Sequence, residues 1–255
     1  MNVGNVTATG DDITITSAGA IEELGADAAA DITSAIMNLS SATGIGAAAQ
    51  LEINATTLTN ASVSGTGAIN LSDTAGGLAV TSATTNDGAI TLNATGGDLD
   101  LTTVTAGGTG RNVTLTTTSS GNINVGNVTA AGDTVTATAA DAIEELGADA
   151  GADITATNIN LTADSGIGAA GQLEIDGTTL TNASVTGTGA MNISDTAGGL
   201  AVTSATTNNG AITLNAISGN LDLTTVTAGG NNRNISLSTT TSGNVNVGNV
   251  TATGD

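Results

Sequence analysis

The sequence predicts an all-β chain folded as a parallel β-helix, or β-solenoid. A 122-residue repeat is written twice without insertion, and short alternating apolar segments recur about every 20 residues within it. The composition points the same way, because the chain has no Phe, Trp, Tyr, Pro, Cys or His. Without aromatic side chains, thin regular layers of Ile, Val, Leu and Ala suit the interior better than the thick core of a conventional globule.

The long repeat is marked by one ten-residue segment. NVGNVTATGD occupies residues 2–11, returns as NVGNVTAAGD at 124–133 and recurs at 246–255. About three quarters of the positions that are 122 residues apart are identical, which is a strong internal repeat. We therefore expect one continuous solenoid, a piece of a longer array, with copies at residues 1–122 and 123–244 and the start of a third at 245–255.

Strand signals set the predicted coil length. Apolar alternation begins at Asp12, Asp31, Leu51, Ala68, Ala89 and Asn112, and restarts at Thr134. This beat predicts six coils per repeat of about 20 residues each, about twelve coils in all, and a rod roughly 60 Å long. The predicted core side chains are Ile13, Ile15, Leu51, Ile53, Ile69, Leu71, Ile90, Leu92, Val113 and Leu115. The predicted corners are Gly76–Gly77, Gly96–Gly97, Gly107–Gly108, Gly198–Gly199 and Gly229–Gly230.

A local helix and an antiparallel β-sandwich are the two alternatives to this prediction. The segment AIEELGADAAADI at 20–32 has helix-forming residues, but it is short and Gly25 interrupts it, so we expect a strand and a corner there. An antiparallel β-sandwich would need hairpin turns, and the main two-residue signals are Asp87–Gly88 and Asn209–Gly210. The near-constant beat without helices favours the solenoid.

Charge narrows the classes of partner. The formal net charge is −21, and Arg111 and Arg233 are the only basic side chains. Nucleic acid and anionic membrane surfaces need more positive charge than this, so neither is an expected partner. The sequence also lacks an apolar run long enough to cross a membrane. Met1 leads directly into the repeat, so any export signal is expected outside this segment.

The residue types argue against catalysis. Ser–His and Cys–His pairs cannot form, a Lys base is absent, and zinc would have carboxylates alone. The acidic residues that need attention are Glu22, Glu23, Asp27 and Asp31, with Glu144, Glu145, Asp149 and Asp153. Neighbours such as Glu22 and Glu23 alternate across a strand, so we expect a solvated acidic face rather than a convergent pair. No cofactor, catalytic or dedicated metal site is predicted. Calcium binding is expected to be weak and incidental, because the β-roll nonapeptide and the EF-hand loop are missing.

Threonine and asparagine suggest two further properties. A flat Thr array on a solenoid face can match ice, so an ice-binding β-solenoid is an alternative function. The outward residues between core positions are Thr14, Thr33, Glu52, Asn70, Thr91 and Thr114, and Glu52 and Asn70 break the array.

Asn-x-Ser/Thr sequons occur at Asn5, Asn38, Asn60, Asn93 and Asn112, as expected by chance in a chain so rich in these residues.

The segments GGLAVTSATTNDGAITLNATGGDLDLTTVTAGG at 76–108 and DITITSAGAI at 12–21 resemble the repeats of filamentous haemagglutinin-type proteins. These are bacterial surface adhesins exported by two-partner secretion or as autotransporters. The resemblance covers essentially the whole chain in repeat style, without a diagnostic catalytic or secretion motif. It implies a right-handed β-helix shaft at a bacterial cell surface or outside the cell. We therefore expect a structural, non-enzymatic spacer in an adhesin or extracellular fibre that self-associates end to end. A polysaccharide-active β-helix enzyme is a less favoured alternative.

Overall fold

The computed structural model describes residues 1–25, 27–231 and 233–254, and these form a parallel β-solenoid. Ala26, Asn232 and Asp255, the last residue of the predicted third copy, lie outside the described residues. The strands are β1 Asn2–Val3, β2 Val6–Ser17, β3 Glu22–Glu23, β4 Ile32–Ser41, β5 Leu51–Thr66, β6 Ile69–Asp73, β7 Leu78–Val80, β8 Ala83–Asp87, β9 Ile90–Ala94, β10 Leu99–Ala106, β11 Val113–Thr117, β12 Ile123–Thr138, β13 Ala142–Glu145, β14 Ile154–Ala163, β15 Gly166–Ile167, β16 Leu173–Val185, β17 Met191–Asp195, β18 Leu200–Thr207, β19 Ile212–Ala216, β20 Leu221–Ala228, β21 Ile235–Thr239 and β22 Val245–Ala252.

Every strand pairing in the described residues is parallel, and each joins one turn to the next. β10, for example, pairs with β7 and β8 of the preceding turn and with β12 of the following one. Parallel pairing excludes the hairpin-connected sandwich, so the solenoid prediction is confirmed. The described part of the 20–32 segment contains the short strand β3 followed by bends, as predicted, and no helix.

The core is built from columns of aliphatic side chains that stack from turn to turn. The longest such column consists of Ile21, Ile45, Ile69, Ile90, Val113, Val135, Ile159, Leu180, Val202, Leu223 and Val247. All of these are buried except Val247, which lies on the last described turn and is 59% exposed. All ten predicted core residues are buried. Each buried aliphatic side chain contributes on the order of 1.5–3 kcal/mol, which explains how a core without aromatics is stable.

The corners fall at the predicted glycine pairs. Each of the five pairs contains at least one glycine with positive φ, such as Gly76 at +82° and Gly97 at +86°. A side chain would strain the backbone in this region, so these turns depend on glycine.

The turn is longer than the sequence beat predicted. Successive turns are about 22 residues apart and number about 11, which gives a rod about 50 Å long. One column passes from Ile13 through Met37, Leu58, Val80, Leu101 and Val125 to Glu145. Val135, which follows Ile13 by one repeat, lies midway along the chain between Val125 and Glu145. One repeat therefore spans about five and a half turns, and the prediction of six was wrong.

Candidate functional site

Three carboxylates from separate parts of the chain converge on the side of the solenoid. Glu23, Asp31 and Glu52 each place a carboxylate oxygen within 4.8 Å of the other two. Glu145, Asp153 and Glu174 form the same cluster one repeat later. We call these the first and second carboxylate clusters. Because one repeat spans five and a half turns, the two clusters lie about half a turn apart around the axis.

Two neighbouring turns supply each cluster. Glu23 ends the short strand β3, and Asp31 immediately precedes β4, so the two flank a loop that the structure describes at residues 24–25 and 27–30. Glu52, in β5, lies one turn further along. The Asp31 amide donates to the Glu52 carbonyl oxygen at 2.8 Å, which holds the two backbones in register. The second cluster has the same contact, from the Asp153 amide to the Glu174 carbonyl oxygen at 2.8 Å.

The carboxylates also fix the loop that they enclose. The Asp27 amide donates to Oε1 of Glu23 at 2.8 Å, and the Ala29 amide donates to Oδ1 of Asp27 at 2.7 Å. In the second copy the Asp149 amide donates to Oε1 of Glu145. Glu23 therefore uses one oxygen to anchor the loop.

Part of each cluster is buried without hydrogen-bond donors. Asp31 is 4% exposed and Glu174 is 8% exposed, yet Oδ2 of Asp31 and Oε2 of Glu174 accept no hydrogen bond. Oε2 of the half-buried Glu52 also has no partner. In the second cluster, Oδ2 of Asp153 accepts from the Glu174 amide at 2.9 Å. An unpaired buried carboxylate oxygen is unfavourable, so either a bound proton or a positive partner would stabilise this arrangement.

The electrostatics of the clusters follow from this burial. Burial raises the pKa of Asp31, and the charges of Glu23 and Asp27 raise it further, against the effect of a backbone hydrogen bond. Burial, together with nearby carboxylates, also raises the pKa of Glu52 and Glu174. Desolvation raises the pKa of Asp153 to about 7, although the Glu174 amide opposes it. Each cluster thus concentrates negative charge where water screens it poorly.

The expectation of a solvated acidic face was partly wrong. Asp27 and Asp149 are exposed as predicted, but Asp31 and Asp153 are buried because they continue the strand stack at the start of β4 and β14. Glu22 and Glu23 do diverge. Oε2 of Glu22 accepts from the Ala48 amide at 3.0 Å, outside the cluster, and Glu144 accepts from Ala170 in the same way. The sequence reasoning did not include Glu52 or Glu174 among the candidates.

Another pair of equivalent carboxyls lies deeper. Asp73 and Asp195 are 0% exposed, and their Oδ1 atoms accept from the Ala55 amide at 3.0 Å and the Gly177 amide at 3.1 Å. Burial raises the pKa of each to about 6, while backbone amides act in the opposite direction. The charge of Asp176 also raises the pKa of Asp195, but among the described residues neither Asp73 nor Asp195 belongs to a cluster of three acidic side chains.

The threonines are arranged differently from the sequence prediction. Thr14 pairs with Asn38, Thr33 pairs with Asn54, and Glu52 pairs with Ser72, so these outward residues do not share one column. The outward column above Glu52 instead continues through Ser72, Asn93, Thr116, Thr138, Thr162, Ser184, Thr206, Thr227 and Thr251. Its last seven positions hold six threonines.

The predicted sequons differ in accessibility. Asn5 and Asn112 are exposed. Asn60 donates to Oδ1 of Asn38 at 3.2 Å, and Asn93 donates to Oγ of Ser72 at 2.9 Å, so these three bind side chains of neighbouring turns. The two exposed side chains are hydrogen-bonded as well, because Oδ1 of Asn5 accepts from the Thr7 hydroxyl at 3.0 Å and Oδ1 of Asn112 accepts from the Thr134 amide at 3.1 Å.

Comparison with family models, curated proteins and solved structures gave no match. Among the described residues, no helix has the length and apolar character needed to cross a membrane.

Proposed function

We propose that this chain is a structural segment of the rigid shaft of a bacterial cell-surface adhesin or extracellular fibre. The observation that supports this proposal most directly is the aliphatic column from Ile21 to Val247. It runs through the boundary between the two copies at Val113 and Val135 without a break. A spacer needs such continuity, because a flexible junction would let the segments bend and lose the distance they set.

The mechanism of a shaft is geometric. Each turn adds about 4.8 Å along the axis, so each 122-residue repeat adds roughly 26 Å and about half a turn of rotation. The acidic surface helps keep an elongated particle soluble. The sequence resemblance to haemagglutinin-type repeats supports the surface location.

Self-association is part of this proposal. In the described residues the last strand, β22, pairs on one side with β20, and its other edge carries backbone donors and acceptors beside the exposed Val247. Another turn of the same kind can stack there, whether from the same chain or from a second copy.

The length of the particle tests the shaft. Small-angle scattering on chains with one, two and three repeats should show the maximum dimension rising by roughly 26 Å per repeat at constant cross-section. A particle that widens instead would contradict a rigid rod.

Antibody labelling of intact producing cells tests the location separately, since a fibre at the surface is labelled without permeabilisation. Sedimentation across a concentration series tests association, and a monomer at every concentration would count against it.

The threonine column supports ice binding as a second candidate function. It gives a regular outward row from Thr116 to Thr251. The adjacent outward column, two residues earlier in each strand, also contains Asn160, Asn182 and Asn249. The flat Thr-x-Thr pairs therefore occur on only some turns. Thermal hysteresis that disappears in Thr138→Leu and Thr162→Leu would support this function, and its absence in the parent chain would eliminate it.

A further inference from the structure

We propose that the two carboxylate clusters are calcium sites, each of which fastens a surface loop and two adjacent turns of the solenoid. This inference does not depend on the shaft proposal. It rests on the convergence of three carboxylates and on buried carboxyl oxygens in the clusters that accept no hydrogen bond. Asp31 in the first cluster and Glu174 in the second are more than nine-tenths buried, and each leaves one oxygen unpaired.

The positively charged groups of the described residues bind elsewhere, and the Met1 ammonium donates to the Ala20 carbonyl oxygen at 2.7 Å. Of the two basic side chains, Arg111 is bound to Asp87 in another part of the solenoid, and Arg233 donates to Asn209 at 2.9 Å. Burying ionised carboxylates without a counter-charge is strongly unfavourable, whereas coordination by a metal satisfies them. A positive ion from solution would therefore stabilise the clusters with their carboxylates ionised, where they would otherwise have to take up protons.

The number and type of the ligands indicate the ion. Calcium binds carboxylate oxygens at 2.3–2.6 Å, so two of its ligands can be up to about 5 Å apart. The cluster oxygens lie within 4.8 Å of one another and fall inside this limit. Magnesium demands near-ideal octahedral geometry at 2.0–2.1 Å and releases its waters reluctantly, so proteins usually hold it with one or two carboxylates rather than with three. Zinc favours nitrogen and sulfur ligands, which these clusters lack. Water molecules would complete the six to eight ligands of calcium.

The ion would bind the ends of an otherwise exposed loop. Glu23 precedes the 24–30 loop, Asp31 follows it, and Glu52 belongs to the next turn. The loop carries Leu24, which is 63% exposed, and is tied down mainly through Glu23 and Asp27. Calcium would therefore hold this loop, and the equivalent loop at 146–152 in the second copy, against the shaft on sides about half a turn apart.

The test is isothermal titration of the whole chain, after treatment with a chelator, with CaCl2 and with MgCl2. We expect two calcium ions per chain, bound at least about tenfold more tightly than magnesium, and a rise in Tm with calcium. Glu52→Gln should leave one site, and Glu52→Gln with Glu174→Gln should leave none. The matched control is Glu22→Gln with Glu144→Gln, which removes the same charge beside the clusters and should retain both sites.

Two further outcomes decide the matter. If the Glu52 and Glu174 variants do not fold, the half-buried Glu23→Gln with Glu145→Gln takes their place, with folding checked by circular dichroism. The proposal is overturned if calcium binds no more tightly than magnesium. It is also overturned if the control pair weakens binding as much as the cluster variants do, because a diffuse acidic surface then explains the binding.

Discussion

Ile13 and Val135 occupy the same position in two copies of the repeat, yet they lie about half a turn apart around the solenoid axis. Ile13 belongs to the column that reaches Val125 and Glu145, whereas Val135 stacks between Val113 and Ile159. Each column therefore contains residues from different positions of the repeat. Any surface feature that recurs every 122 residues points in alternate directions along the shaft.

Cysteine cross-linking provides a direct check of this register, because the chain has no cysteine of its own. Thr116 and Thr138 are paired neighbours on adjacent turns, at a spacing that a disulfide can bridge. We expect Thr116→Cys with Thr138→Cys to form an intramolecular disulfide under mild oxidation, measured by the loss of free thiol.

The matched pair is Thr14→Cys with Thr33→Cys, which the sequence beat had aligned. The structure pairs Thr14 with Asn38, five residues beyond Thr33, so these thiols should stay free. Efficient cross-linking of the second pair and none of the first would contradict the register described above.

The fold class, the parallel stacking, the core side chains and the glycine corners could all be predicted from the sequence. Alternating Ile, Val and Leu report burial directly, as for Ile69 and Leu71. The number of turns could not be predicted, because strands on different faces carry the same pattern. Asp12 and Ala89 both start an apolar alternation, but Ile13 and Ile90 stand in different columns. Counting each strand start as a new turn therefore overestimates the number of turns by about half a turn per repeat.

The carboxylate clusters were missed for a related reason. A charged residue in an alternating strand is normally exposed, and nothing in the local sequence distinguishes Asp31 from Asp27. The difference is that the backbone of Asp31 pairs with that of Glu52 one turn later, and this contact buries it. Only the length of that particular turn brings Glu52 to Glu23 and Asp31.

Close backbone packing makes some glycines irreplaceable. A Cβ at Gly88 would collide with the carbonyl oxygen of Gly67 on the preceding turn, whereas a Cβ at Gly96 would meet nothing within 4 Å. We expect Gly88→Ala to lower the free energy of unfolding by roughly 1–3 kcal/mol. Gly96→Ala should be nearly neutral, since the second copy carries Ser218 at that position. Equal effects in urea unfolding would show that the packing is looser than described.

The two copies contain a natural comparison of an ion pair with a neutral hydrogen bond. Nε of Arg111 donates to Oδ1 of Asp87 at 2.7 Å, while Nε of Arg233 donates to Oδ1 of Asn209 at 2.9 Å. We expect Asp87→Asn to lower Tm slightly at low salt and to have no effect at high salt, because surface charges are screened. Asn209→Asp should do the opposite. A change in Tm that is independent of salt would indicate lost packing rather than lost charge.

The buried carboxyls Asp73 and Asp195 should make the solenoid less stable as the pH rises. Burial raises the pKa of each from 3.8 to about 6, so between these values the folded chain retains two protons that the unfolded chain has released. The contribution of these two carboxyls to stability is therefore full below about pH 4, falls between pH 4 and 6 by up to about 3 kcal/mol per carboxyl, and levels off above pH 6. We expect Asp73→Asn with Asp195→Asn to flatten the dependence of Tm on pH in this window. The control pair, Asp100→Asn with Asp222→Asn, removes two charges outside the core and should leave the slope in place. If both pairs flatten it equally, general repulsion among the 23 acidic residues is the cause, and the two buried groups have no special part in it.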